Sequence, residues 1–417
     1  MEIKRDIYLQ KLIDRQNNGA IKVITGLRRS GKSYLLFNLF YDHLLSTGVP
    51  QDHIIRIALD TDENENLLDY HELGKYIRSR INDKDNFYIF LDEIQFVDNF
   101  EKVLNGLNRH SNLDIYVTGS NSKFLSSDIL TEFRGRGDEI RVRPLSFSEF
   151  QPYYNGNINQ AWSDYFTYGG LPRILSMNTD EQKSAYLSDL FQKVYITDIV
   201  ERNRLHGDQT MDNLVDILAS SVGSLTNPYK LANTFTSKGM GSVSDKTVST
   251  YIGYLEDAFL LEKTRRYDIK GKKYIASPYK YYYADPGLRN ARLNFRQQEE
   301  NHIMENIVYN ELRYRGFNVD VGIVSREEKN DAEKRIVNQY EVDFVCNKGS
   351  KRYYIQSAFA MPDAEKINQE QRSLLYTGDF FKKIIVSKDV LKPWHNENGI
   401  LIIGIIDFLL DPESLDR

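Results

Sequence analysis

Several things are scarce in this chain, and each scarcity excludes something. A single cysteine, Cys346, stands among 417 residues, so no internal disulfide can form and a thiol-rich zinc site of the usual kind cannot be built. The expected role of Cys346 is that of a small buried core residue. Positive charge is not in excess either: the formal net charge is -5. The chain as a whole therefore does not attract nucleic acid, and any DNA-binding role is confined to a local patch. Long apolar runs are missing as well. The longest stretch, residues 400–410, is broken by Gly404 and Asp407 and falls short of the ~20 residues that span a bilayer. It reads as a terminal strand and turn. The N-terminus, MEIKRDIYLQKLIDRQ, has the pattern of an amphipathic helix where a secretory signal would need an uninterrupted apolar segment. A soluble, cytoplasmic protein without a membrane partner is expected.

The composition, 41% hydrophobic and 27% charged, is that of a globular chain, and its length calls for two or three domains. The most informative segment is GLRRSGKS, residues 26–33. A β-branched run at residues 20–25 precedes it and a helical periodicity over residues 34–45 follows, predicting strand, glycine-rich loop and helix. Gly26 and Gly31 let the backbone curl so that its N–H groups face phosphates at the helix N-terminus. Arg28, Arg29, Ser30 and Tyr34 complete the expected nucleotide-binding stretch. Lys32 is placed to reach the β- and γ-phosphates of ATP, and Ser33 to ligate Mg²⁺.

A second apolar strand, residues 86–91, ends in Asp92 and Glu93. Two carboxylates at the end of a buried strand are costly unless they serve chemistry. Asp92 suits the hydrated Mg²⁺, and Glu93 suits orienting and polarising the attacking water. Lys32, Asp92 and Glu93 are thus the candidate catalytic residues. A third strand, residues 113–118, leads to Ser120 and Asn121, candidates for contact with the γ-phosphate or the lytic water. Thr118 and Ser120 equally suit capping of the next helix. Arg134 and Arg136, in FRGRGDE, read either as arginine fingers acting in cis or in trans or as partners of nearby acids. A finger acting in trans would require a homo-oligomer.

These motifs, with FLDEIQ and the following Phe96, Phe100 and Leu104, and with VTGSNS, IRVRPLSFSEF, YGGLPRIL and YEVDF, resemble a family of bacterial and archaeal AAA+-like P-loop ATPases. Its members carry an archaeal-type, AAA_14-like ATPase core and a C-terminal domain of unknown function, DUF4143. The resemblance runs almost end to end. It implies an α/β fold with a P-loop NTPase core over residues 1–150, and, through the Gly-x-Pro element at residues 170–172, a nucleotide contact by Pro172. A plain helix-ending turn is the alternative for that element.

Beyond the core, residues 151–222 have an ordinary helical pattern suited to a lid or linker. Residues 228–236 and 243–260 predict a helix-turn-helix, with Ser244 as the second helix cap. The short strand-like runs at 263–267, 273–276 and 281–283 suit a wing, giving a winged-helix domain over residues 223–292. Lys263, Arg265, Arg266, Lys270, Lys272, Lys273 and Lys280 interleave with tyrosines there, as phosphate contact and base stacking would require. Winged helices also serve as lids or protein contacts, and the tyrosines also suit a core.

Residues 293–417 predict a helix, a strand pair and a further strand in an order that resembles the PD-(D/E)XK nuclease fold. That likeness matches Glu305 to the helix acid and Asp343 to the strand aspartate. Gln356 stands where a glutamate belongs and Ala358 where a lysine belongs, and a neutral amide is a poor Mg²⁺ ligand. A degenerate nuclease fold whose groove binds nucleic acid or a partner, or is only structural, is the expectation. The charged stretch 326–334 reads as a loop. The function expected is ATP hydrolysis coupled to movement of the C-terminal modules, on DNA or on a protein partner. The alternative is a nucleotide-gated switch with little turnover; an ATP-gated nuclease is opposed by Gln356 and Ala358.

Overall fold

β1 (Ile21–Thr25), β2 (Ile54–Ala58), β3 (Phe87–Asp92), β4 (Leu113–Thr118) and β5 (Gly137–Arg141) form one sheet in the order β2-β3-β4-β1-β5. All its pairings are parallel. The computed structural model describes residues 2–119, 137–205, 209–296, 299–329 and 335–417. β1, β3 and β4 are buried along their whole length, which is why they read as unbroken apolar runs. On one face, the helices Tyr70–Arg80 and Phe100–Leu107 bring Leu73, Ile77, Val103, Leu104 and Leu107 onto Ile57, Ile89, Leu91 and Ile115. On the other face, the helix that starts at Lys32 continues through a π-helical turn, Leu35–Phe40, into Tyr41–Ser46. Its Phe40 ring packs on Phe90 and Tyr116 at centroid distances of 5.6 and 4.8 Å. This packing fixes the P-loop helix to the strands that carry the acids.

The chain divides into two compact units, Met1–Pro144 with Asp257–Phe259, and Leu145–Glu256 with Leu260–Arg417. The second unit holds an eight-stranded sheet. Its strands are β6 (Leu261–Asp268), β7 (Lys273–Tyr283), β8 (Asn318–Lys329), β9 (Arg335–Lys348), β10 (Lys351–Ala358), β11 (Lys382–Ser387), β12 (Trp394–His395) and β13 (Leu401–Gly404). Their order is β12-β13-β11-β10-β9-β8-β6-β7.

Three expectations change here. The two helices of the helix-turn-helix are present as Pro228–Ser237 and Asp245–Asp257, and the Ser244 hydroxyl accepts from the Thr247 N–H at 3.0 Å. The expected wing is not self-contained: β6 pairs in parallel with β8 through Arg266–Val321, Tyr267–Gly322 and Asp268–Ile323. Burial explains this, because Thr264, Arg266 and Tyr281 to Tyr283 are covered, which an isolated two-stranded wing could not achieve. The boundary at 292/293 therefore falls inside one sheet. The charged stretch is also partly strand, since Arg326 to Lys329 pair with Arg335 to Asn338. Finally, the C-terminal apolar run is the strand β13 followed by a helix, Ile405–Leu410, rather than a strand and turn. Cys346 is buried in β9. No described helix is long and apolar enough to cross a membrane.

Candidate nucleotide site

The loop between β1 and its helix has the backbone the glycines predict. Gly26 has φ 130° and Gly31 φ 95°, where L-residues are strained. A Cβ on Gly26 would also lie 2.0 Å from the Val142 carbonyl oxygen. Arg29 takes φ 66° and is exposed, while Arg28 and Tyr34 are half-buried. Inside the loop, the Lys32 ammonium donates to the carbonyls of Gly26 and Leu27 at 3.0 and 3.1 Å. Burial lowers its pKa to about 8, opposed by the negative charge of Glu93 and Asp92. The buried Ser30 hydroxyl has no hydrogen-bond partner among the described residues.

The acids arrive from β3. Because β4 lies between β1 and β3, Thr118 sits beside Ile24 on one side and near Asp92 on the other. The Thr118 hydroxyl donates to Asp92 Oδ1 and accepts from the Glu93 N–H at 3.0 Å. Asp92 also accepts from Ser33; burial nonetheless raises its carboxyl above the ordinary range. Glu93 has left-handed φ/ψ of 51° and 48°, turning its carboxylate out of the strand, and the Gln95 amide donates to it.

These residues fit a nucleotide and its metal. The Lys32 ammonium donates to neutral loop carbonyls close to the two acids, the helix begins directly after the loop, and the Ser33–Asp92 contact juxtaposes two oxygen ligands suited to Mg²⁺. Thr118, read from the sequence as a helix cap, is instead the link between the two acids.

Arg5 escaped sequence reading. Its guanidinium is buried and donates to the Ser30 carbonyl at 2.9 Å and the Arg143 carbonyl at 2.7 Å, tying the loop to the strand end beyond β5. Arg5→Ala is expected to cost roughly 2–4 kcal/mol, because charge-assisted bonds to two carbonyls are lost. It should also weaken nucleotide binding about fivefold or more by loosening the loop. A urea titration and a fluorescent-nucleotide titration would measure both, and affinity equal to wild type would refute the brace.

The remaining predicted residues are dispersed. Ser120, Asn121, Arg134 and Arg136 lie outside the described residues. Pro172 opens a 3-10 turn, Pro172–Ser176, in the second unit. Arg265 is exposed with its guanidinium 3.9 Å from the Tyr274 ring centroid, and Lys270, Lys272 and Lys273 are exposed around the β6–β7 turn. Arg266 and Lys280 are corrections: both are buried, Arg266 donating to Gln339 at 3.1 Å, because their strands are covered within the sheet. Glu305 and Asp343 are brought together, with Gln356 accepting from the Asp343 N–H at 3.3 Å.

A buried lysine inside a glycine-turned loop, facing an aspartate held by the loop's own serine, places the first unit in the P-loop NTPase class. Residues 18–151 match an AAA domain family, AAA_14. The chain is 34% identical over 98% of its length to an uncharacterized protein of Haemophilus influenzae, 98% of which is covered. An uncharacterized protein of Methanocaldococcus jannaschii is 30% identical over 87% of this chain and 79% of its own. The chain belongs to this family of AAA-domain P-loop ATPases. Residues 159–299 match DUF8612, a domain of unknown function, which corrects the DUF4143 expectation. Among solved structures, the Walker-type ATPase of Pyrococcus abyssi aligns with a TM-score of 0.50 at 17% identity, over 70% of this chain and 96% of that one. At that identity the likeness shows the fold alone.

Proposed function

We propose that the protein hydrolyses ATP to ADP and phosphate and uses the cycle to change the conformation of its second unit. The observation that carries the hydrolytic reading is the convergence of Lys32, Ser33, Asp92, Thr118 and Glu93 on one end of the parallel sheet. Lys32 would exchange its carbonyl partners for phosphate oxygens. Ser33 and Asp92 would hold Mg²⁺, which when bound neutralises charge on the β- and γ-phosphates. Glu93 would accept a hydrogen bond from the attacking water and align it with the γ-phosphorus. Thr118 keeps the two acids in fixed register.

A second element of the proposal concerns DNA. The exposed side chains of Lys270, Lys272, Lys273 and Arg265 cluster about one hairpin, with Tyr274 exposed beside them. That combination of cations and an accessible ring suits phosphate contact and base stacking, against a net charge of -5 for the whole chain.

Steady-state hydrolysis with and without single- and double-stranded DNA at low salt tests both parts. Lys32→Ala should abolish nucleotide binding and turnover. DNA should stimulate wild-type turnover, the stimulation should fade as salt rises, and replacing Lys270, Lys272 and Lys273 by alanine should remove it. Absence of hydrolysis by well-folded wild type under all conditions would favour the nucleotide-gated switch. Turnover indifferent to DNA would direct the downstream reading to a protein partner.

A further inference from the structure

Lys280 lies at the centre of an acidic cluster inside the second unit. Its Nζ is 2.8 Å from Glu305 on the helix Glu300–Tyr314, and 2.7 and 3.6 Å from Glu341 and Asp343 of β9. Glu341 and Asp343 are two residues apart and so share one face of that strand. The surroundings hold the acids in place: Tyr282 donates to Glu305 at 2.6 Å and the Ser357 N–H to Asp343 at 2.9 Å. Gln356 touches the Asp343 backbone and adds no charge. Burial alone would depress the lysine, but Glu305, Asp343 and Glu341 outweigh it and keep the ammonium charged. Burial, then Glu305, pushes the Asp343 carboxyl well above the carboxylate range.

Three carboxyl groups converging on one point, Glu305 and Asp343 buried and Glu341 half-buried, repel one another unless a cation sits among them or one takes up a proton. A divalent metal ion is the usual choice for hard carboxylate oxygens, yet here the cation is an ammonium that cannot dissociate because β7 carries it. We propose that Lys280 is a tethered substitute for a divalent metal. With the lysine in place the cluster is closed, and among the described residues no His, Cys, Asp and Glu group is arranged to hold a metal ion. Without the amine, Glu305, Glu341 and Asp343 become ligands for Mg²⁺ or Mn²⁺, with the Gln356 amide beside them. A lysine that served only packing would behave otherwise: its loss would open no metal site.

The test uses the full chain free of nucleotide, with Mn²⁺ followed by electron paramagnetic resonance and by thermal melting. Lys280→Ser should bind one Mn²⁺ per chain beyond wild type and gain melting temperature as Mn²⁺ is added. Adding Asp343→Asn should weaken that binding about tenfold or more, which separates it from any ion at the P-loop. Lys280→Met, similar in length, controls for lost packing and should be less stable than wild type in the absence of metal. If Lys280→Ser folds only when Mn²⁺ is supplied, the proposal stands. A folded Lys280→Ser with no added Mn²⁺ site overturns it, as does a variant that Mn²⁺ fails to rescue. So does a wild type that already binds Mn²⁺ in a manner abolished by Asp343→Asn.

Discussion

Replacing Glu93 by glutamine is expected to lower ATP turnover by about 100-fold or more while leaving nucleotide affinity within about threefold. The change is confined to one group. Glutamine has nearly the shape of glutamate and can keep the contact with Gln95, while the backbone N–H of residue 93 still donates to the Thr118 hydroxyl. Lys32, Ser33 and Asp92, which would hold the phosphates and their metal, are untouched. What is lost is the negative charge that polarises water, so the defect falls on the chemical step and not on binding. Phosphate release in steady state and a nucleotide titration on the same preparation would separate the two. A variant that turns over within threefold of wild type would remove Glu93 from the mechanism.

The second large effect is expected at Asp285, the first residue of Asp-Pro-Gly at 285–287. The carboxylate is enclosed and accepts from the N–H groups of Gly170 at 2.7 Å, Leu288 at 3.1 Å, and Gly287. It thereby both caps the helix Pro286–Arg292 and fixes the glycine pair that precedes Leu171 and Pro172. There is no room to compensate: a Cβ on Gly169 would meet Asp285 Oδ1 at 2.1 Å, and one on Gly287 would meet the Tyr168 carbonyl at 2.0 Å. Asp285→Ala leaves buried N–H groups unpaired and should cost about 3 kcal/mol or more at pH 7. Asp285→Asn, with one acceptor oxygen in place of two, should recover part of this.

The pH dependence carries its own sign. Burial raises the Asp285 carboxyl to about 6 against an ordinary 3.8, opposed by its backbone hydrogen bonds. The folded state then holds this proton more tightly than the unfolded chain, so between those values wild type loses stability as pH rises, and the loss levels off above pH 6. The gap between wild type and Asp285→Asn should accordingly be about 1 kcal/mol wider at pH 5 than at pH 7. Urea midpoints at the two pH values would measure it. A gap that is constant or narrower at pH 5 would contradict the assignment.

The parts of this molecule that are legible in the sequence are those whose chemistry is local. GLRRSGKS and FYIFLDE each combine a buried strand with its own functional residues in a few consecutive positions, so strand, loop and ligands can be read together. Arg5, Asp285 and Lys280 are not legible as partners of distant segments, because the nearest of the contacts that tie them there, to Ser30, Gly170 and Glu305, lie 25, 115 and 25 residues away. Nothing in the local pattern distinguishes a buried Lys280 from the exposed Lys272 and Lys273. The tyrosine alternation that suits base stacking is instead, at Tyr281 to Tyr283, the signature of a covered strand end. The wing departs from expectation for the same reason: the hairpin is local and readable, but β8, which covers its edge, begins at Asn318.

That pairing bears on how this chain can change by descent. The DUF8612 match ends at residue 299, after β6 and β7 and before their neighbour β8. A recombination event at that point would leave the ladder edge of β6 facing water, an invitation to aggregation, and would strip the acids Glu305, Glu341 and Asp343 of Lys280. Residues 159–299 and the segment that follows them should therefore be inherited, duplicated or lost as a single piece, and lineages that shed one half should have rebuilt the other.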